Sequence, residues 1–327
     1  MYSRGRHPVV PWADRMSAPT GLVIIMKLRD ILDEGKSTLA RNKIEDPDFD
    51  ATEILLNLLD MDMARFLFEC EDELEDKYDT RTISNIINEF DELISARAQH
   101  FPLQYILGES YFCGLKFNIG QGVLIPRQDT EILVEKVIAD NQDKNKFILD
   151  MCTGSGCIAV SLAALGDYKL VVGTDISDDA LEIAAKNADE LVLDRSLDDE
   201  MSQHIYFLQS DMFDNLEKIK EKLGIESFDI ITANPPYIKS AEISKLQKEV
   251  KDFEPRIALD GDKDGLKFYK AIAKEAKNYL NNNGKIYLEI GYDQNEDVKK
   301  IFEKAGYTHI ETVKDLGGND RVIIFTI

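Results

Sequence analysis

The stretch Phe147-Ile148-Leu149-Asp150-Met151-Cys152-Thr153-Gly154-Ser155-Gly156-Cys157-Ile158-Ala159 runs from a short apolar segment through a glycine-rich turn into residues that continue as a helix. Glycines in such a turn let the backbone approach a ligand closely, and the turn exposes amide N–H groups at a helix N-terminus. Downstream the alternation repeats: residues 170–173, 205–208 and 228–232 are short apolar runs separated by helical segments, and residues 286–290 make a fifth. Residues 307–313 and 321–327 then follow one another with Gly317-Gly318-Asn319-Asp320 between them, which reads as an antiparallel hairpin. Strands alternating with helices predict an α/β fold with a mostly parallel sheet and helices on both faces.

Upstream, residues 26–100 read as a small helical domain. Ile31, Leu32, Leu39 and Ile44 recur on one face, and Ile54, Leu55, Leu58 and Leu59 do so after a break at Pro47. Ile83, Ile86, Ile87, Phe90 and Ile94 form a third stripe at spacings of three and four. A structural cap and a substrate-docking role both fit this domain. Residues 101–125 alternate around glycines and suggest a hairpin linker to a main domain over 126–327. Residues 1–25 carry Arg4, Arg6 and Arg15 against Asp14, with Pro and Gly breaks and no period. They are expected to be a disordered extension, with Met26 a plausible alternative start.

The chain has 327 residues and a formal net charge of -22, with 44% hydrophobic and 31% charged residues. That length suits two domains. No apolar run approaches the length of a membrane span, and none has the pattern of a secretory leader, so a cytoplasmic protein is expected. The negative field repels polyanions, which argues against direct nucleic-acid binding. Cys70, Cys113, Cys152 and Cys157 form no CxxC pair and the four histidines are scattered, so no metal site is expected and reduced thiols are.

The turn from Cys152 to Gly156 is the first half of a candidate site. Gly154, Gly156 and Ala159 also satisfy the G-x-G-x-x-A pattern of dinucleotide enzymes, and a tight turn with no ligand is the bland alternative. Acids at successive strand ends favour a cationic nucleoside, S-adenosylmethionine. Asp150 precedes the turn, where it could meet the ligand's ammonium group. Asp175 ends the next strand, where a carboxylate can accept from both ribose hydroxyls. Asp211 ends the third.

The second half follows the fourth strand, at Asn234-Pro235-Pro236-Tyr237. Consecutive prolines stiffen the chain and remove backbone donors, and ligands of parallel sheets bind beyond the carboxyl ends of strands. A planar amide nitrogen is a poor nucleophile because its lone pair is delocalised. The Asn234 side-chain oxygen and the Pro235 carbonyl are a pair of acceptors suited to hold both its hydrogens and face it to a methyl donor. Tyr237 can stack on the planar group and exclude water. A rigid turn without chemistry is the structural alternative.

With these residues in view, the chain from about residue 27 onward resembles the HemK/PrmC protein-(glutamine-N5) methyltransferases. The resemblance rests on the N-P-P-Y loop, residues 104–108 (Q-Y-I-L-G), 122–127 (G-V-L-I-P-R) with Asp129-Thr130-Glu131, Glu254-Pro255, residues 259–261 and 264–266, 288–291 (L-E-I-G), and 314–316 with 320–322. It implies a seven-stranded, mostly parallel Rossmann-like class I methyltransferase sheet with an antiparallel C-terminal hairpin. It implies methyl transfer from S-adenosylmethionine, leaving S-adenosylhomocysteine, to the glutamine of the Gly-Gly-Gln motif in peptide chain release factors. On these positions it assigns cofactor contact to Cys152, Thr153, Gly154, Ser155, Gly156, Asp175, Met212 and Asn234. Pro235, Pro236 and Tyr237 would line the glutamine pocket. Cys152 stands where many members carry glycine, and Met212 where some carry tryptophan. An adenine amino-methyltransferase sharing the loop, a non-catalytic binding protein and a dinucleotide oxidoreductase are the competing readings.

Overall fold

In the computed structural model, residues 26–192 and 204–327 are described; the expected disordered extension, residues 1–25, lies outside them. The chain divides into two compact units after Ser95.

The first unit is helical: α1 (Leu28–Arg41), α2 (Pro47–Leu58), α3 (Met63–Glu69) and most of α4 (Thr80–Ala98). Pro47 opens α2, where its missing N–H costs no helical hydrogen bond. Leu32, Leu39, Ile54, Leu55 and Phe90 are buried, and the Phe90 ring lies so close over Gly35 that an added Cβ would sit 2.7 Å from it. Leu56 of α2 is buried, while Leu58 and the following Leu59 are only half-buried, so the apolar face is rotated from the expected one. The short α3 was not anticipated; the Asp62 side chain caps it, accepting from the Arg65 N–H at 2.7 Å.

The second unit opens with α5 (Leu103–Leu107), followed by the hairpin of β1 (Glu109–Phe112) and β2 (Leu115–Asn118). The expected hairpin therefore occupies only part of residues 101–125. Pro102 precedes the helical turn and Gly108 ends it with a left-handed φ of 74°, so alternation around glycine here reflects a helix cap as well as a strand. Next come α6 (Gln128–Asp140), β3 (Phe147–Met151), α7 (Cys157–Gly166), β4 (Leu170–Asp175), α8 (Asp178–Leu191), β5 (Ile205–Gln209), α9 (Leu216–Leu223) and β6 (Phe228–Ala233). They are followed by α10 (Lys248–Phe253), α11 (Lys267–Glu275), β7 (Leu280–Glu289), α12 (Asn295–Lys304), β8 (Thr308–Lys314) and β9 (Asp320–Thr326).

The main sheet has seven strands in the order β5-β4-β3-β6-β7-β9-β8. β3 to β7 are parallel, β9 is antiparallel to β7, and β8 to β9, as the run pattern predicted. The fifth strand starts earlier than expected because Asn281, Asn282, Asn283 and Gly284 hide its first half. The central strands are buried on both faces, as parallel sheets require. Leu149, Ile231, Ile286 and Leu288 pack on one face with Tyr269 and Phe302, and Ile148, Ile230 and Tyr287 pack on the other with Leu133, Val134 and Val137 of α6.

From β3 the chain steps outward to β4 and β5, then returns to lay β6 on the other side of β3. Ligands bind at such a reversal, beyond the carboxyl ends of the strands. Met151 pairs with Ala233 in register, so Cys152 and Asn234 leave the sheet side by side. Gly156 then starts α7 at φ 79°, and a Cβ there would lie 2.9 Å from the Ala184 Cβ of α8. Gly156→Ala is expected to cost about 2–3 kcal/mol through left-handed strain and this clash. Urea unfolding checks it, and an unchanged midpoint contradicts it.

Candidate active site

At the sheet reversal lies a cleft of about 910 Å³, counting its open mouth. Cys152, Gly154, Asp175, Asp211, Met212, Asn234 and Pro236 line it. A second cavity of about 410 Å³ is lined by Pro235, Tyr237, Ile238, Arg127 and Glu289, and again by Asn234. Leu124 and Ala258 also border both spaces, so Asn234 stands at the junction of two cavities.

The cleft's residues fit a cationic nucleoside. Asp175, at the end of β4, accepts from the Gly154 N–H at 2.9 Å and the Ser177 N–H at 3.0 Å. Carboxylate oxygens offer about four acceptor sites, so these bonds fix Asp175 while leaving capacity for a diol. Nothing lies within 4 Å of where a Gly154 Cβ would project, so the backbone there is open to close approach. Asp211 adds an exposed carboxylate to the half-buried Asp175. Met212 packs its side chain against the core cluster, and Lys267 is the cation lining the cleft among the described residues.

Several predicted residues stand behind the cleft wall. Asp150 was expected to meet a ligand ammonium, but its carboxylate is fully buried and does not line the cleft. Its oxygens accept from the hydroxyls of Thr153 at 2.6 Å and Thr232 at 2.7 Å. It ties the turn to β6 instead. Burial pushes this carboxyl up to about 7, against the two hydroxyl bonds and with help from the Asp175 charge. Thr153 and Ser155 are buried as well, and the Ser155 carbonyl accepts from the Asn187 side chain at 2.9 Å. Gly156 caps α7 and does not line the cleft.

The proline loop is clamped from below. The Gln294 side chain donates to the Tyr237 carbonyl at 3.0 Å and to the Gly265 carbonyl at 3.2 Å. The Ile238 N–H donates to the Leu259 carbonyl at 3.0 Å, and Gly261 N–H to the Ile238 carbonyl at 2.8 Å. The Asn234 side-chain N–H donates to the Thr130 hydroxyl at 3.3 Å, and Thr130 donates to Glu289 at 2.5 Å. The Tyr237 hydroxyl donates to the other Glu289 oxygen at 3.3 Å. Among the described residues, neither Asn234 Oδ1 nor the Pro235 carbonyl has a hydrogen-bond partner within the chain.

Sequence reasoning passed over Arg127, Thr130, Glu254 and Glu289 as site residues, although all lie in the motifs quoted. Glu254 is buried against Arg127 and accepts from the Ile125 N–H at 3.3 Å, which holds residues 122–127 over both cavities. Burial raises both Glu254 and Glu289 above the usual carboxylate range; the Arg127 charge and hydrogen bond oppose the first, and the Thr130 bond and Arg321 charge oppose the second. An acid inside an apolar strand end, as in Tyr287-Leu288-Glu289-Ile290, was the available signal.

Comparison with known proteins covers most of the chain. The family model described as PrmC N-terminal domain matches residues 30–108, and one described as Methyltransferase domain matches residues 142–317. The release factor glutamine methyltransferase of Clostridium botulinum (strain Hall) is 39% identical over 303 residues, covering 91% of this chain and 98% of that protein. The release factor glutamine methyltransferase of Thermodesulfovibrio yellowstonii is 45% identical over 235 residues, 71% of this chain and 78% of that one. Among solved structures, the protein-(glutamine-N5) methyltransferase (release factor-specific) of Alicyclobacillus acidocaldarius is 28% identical, with a TM-score of 0.36 over 64% of this chain and 98% of that one.

The raised Asp150 value carries a pH dependence. Its folded value of about 7 exceeds the ordinary 3.8, so the native state holds a proton that the unfolded chain releases in that window. Rising pH there works against folding. Asp150→Asn removes this slope. Relative to wild type, the variant therefore gains stability as pH rises from about 4 to about 7, by at most about 1.4 kcal/mol for each step of one in pH. Urea midpoints of both ligand-free proteins across that range check it; a difference independent of pH contradicts burial as the cause.

Proposed function

Since the chain belongs to the release factor glutamine methyltransferases, we propose that its adjoining cavities bring a methyl donor and the glutamine side chain of a release factor's Gly-Gly-Gln motif to opposite sides of Asn234. The chain is an S-adenosylmethionine-dependent protein-glutamine methyltransferase. The observation that carries the site assignment is that Asn234 borders both cavities while its Oδ1 and the Pro235 carbonyl remain unengaged. When bound, the cofactor supplies an electrophilic methyl on a positively charged sulfur.

Cys152, Gly154, Asp175, Asp211 and Met212 form the donor side of this reading. Asp175 accepts from the ribose hydroxyls, and the carboxylates of Asp175 and Asp211 favour a cation electrostatically. Thr153, Ser155, Gly156 and Asp150 hold the turn in shape. On the other side, Asn234 Oδ1 and the Pro235 carbonyl accept the two N–H groups of the substrate amide. Their negative ends favour the positive charge that develops on nitrogen as the new bond forms. The extra proton leaves the N-methylated amide readily, so no strong base is required. Tyr237 is not that base: burial and the neighbouring Glu289 charge push its phenol well above the ordinary value, and it stays neutral. Its ring lines the second cavity and walls the substrate amide from water, whereas Pro236, expected in the glutamine pocket, lines the donor cleft instead.

The helical first unit is read as the substrate-docking part, residues 101–125 as the linker, and 126–327 as the catalytic domain. Among the described residues no helix is long and apolar enough to cross a membrane, and a reaction on translation factors belongs in the cytoplasm. The net charge of -22 opposes DNA or RNA as the methyl acceptor.

Incubation with labelled S-adenosylmethionine is expected to label a release factor and not its version with the Gly-Gly-Gln glutamine changed to alanine. Equal labelling of both contradicts the site of transfer, and labelling of DNA or ribosomal RNA instead favours the adenine reading. Asn234→Ala is expected to lower kcat by about 100- to 1,000-fold, with S-adenosylhomocysteine affinity changed far less. Unchanged turnover contradicts the role given to Asn234.

A further inference from the structure

We infer that Thr130 and Glu289 are positioning residues that set the polarity of the Asn234 amide, turning its oxygen rather than its NH2 group toward the substrate. The inference rests on the reading of Asn234 given above. Thr130 lies in the first turn of α6 and Glu289 at the end of β7, and both are buried. A hydroxyl has a single proton to donate. Thr130 gives its proton to Glu289 Oε2 at 2.5 Å, so towards Asn234, at 3.3 Å, it presents only a lone pair. Only the NH2 half of the Asn234 amide satisfies that lone pair. The oxygen half is thereby turned away from Thr130.

The polarity decides the chemistry. With the amide reversed, Asn234 would set donor hydrogens against the donor hydrogens of the glutamine NH2. The same carboxylate takes the Tyr237 hydroxyl on its other oxygen at 3.3 Å, so one buried group orders both ends of the loop. The Arg321 guanidinium favours its ionised form electrostatically and is itself held by Asp129 and Asp315, each at 3.0 Å. The device acts through Asn234: Thr130 lines neither cavity, and Glu289, which borders the second, has its two oxygens engaged by the Thr130 and Tyr237 hydroxyls.

The test uses the full-length enzyme and an intact release factor, with Thr130→Val, Thr130→Ser and Glu289→Gln. Valine keeps the shape of threonine and removes the hydroxyl; serine keeps the hydroxyl. Thr130→Val is expected to lower kcat by about 100-fold, the scale of a misoriented catalytic group, with S-adenosylhomocysteine affinity and the release factor KM within about threefold of wild type. Thr130→Ser is expected to restore kcat to within about fivefold of wild type. Glu289→Gln has one acceptor for two hydroxyls and is expected to lose at least about tenfold in kcat. Wild-type kcat in Thr130→Val overturns the inference. So does a loss of S-adenosylhomocysteine affinity in parallel with kcat, which would assign Thr130 to fold support, or failure of serine to rescue. If wild type methylates no release factor, the functional reading falls instead, so the two failures are told apart.

Discussion

Across the paired strands β3 and β6, the Thr232 hydroxyl donates to the Asp150 carboxylate at 2.7 Å, and the turn after β3 is bound to the same carboxylate through Thr153 at 2.6 Å. This contact lies where the sheet reverses its order, the one place at which neighbouring strand ends diverge to leave a crevice. It keeps the glycine turn and the proline loop at one height, because Met151 and Ala233 are register partners and the chain leaves the sheet immediately after each. Both cavities and Asn234, which borders each of them, depend on that registration.

Buried carboxyls recur through the site, each with its own task. Asp150 joins two strands, Glu254 pairs with Arg127 to hold residues 122–127 over the cavities, and Glu289 collects hydroxyl protons from Thr130 and Tyr237. Each is raised by desolvation, and each is offset by hydrogen bonds or a nearby cation. All three are buried, whereas Asp175 and Asp211, the carboxylates proposed to meet the cofactor, line the open cleft.

Much of this was legible in the sequence where period and position carry the information. Parallel central strands read as continuous apolar runs because both faces are covered, so their order of appearance and the terminal hairpin were recognisable. The glycine turn and Asn234-Pro235-Pro236-Tyr237 announced themselves by residue type. What stayed hidden was direction. The sequence put Asp150 next to the turn, but β3 continues through it and its carboxylate is buried between the Thr153 and Thr232 hydroxyls, a distinction of one strand position. Leu103–Leu107 looked like strand because a glycine that caps a helix resembles one that turns a hairpin. The first half of β7 was masked by asparagines on an exposed stretch, and Thr130 and Glu289 lie far apart in the chain, so only folding reveals their contact.

A crystal structure with S-adenosylhomocysteine and a Gly-Gly-Gln peptide measures the central claim most directly. The account predicts the glutamine side-chain nitrogen within hydrogen-bond distance, about 2.7–3.2 Å, of both Asn234 Oδ1 and the Pro235 carbonyl oxygen, facing the sulfur across the junction of the cavities. A glutamine nitrogen bonded elsewhere, with those two oxygens turned from it, would contradict it.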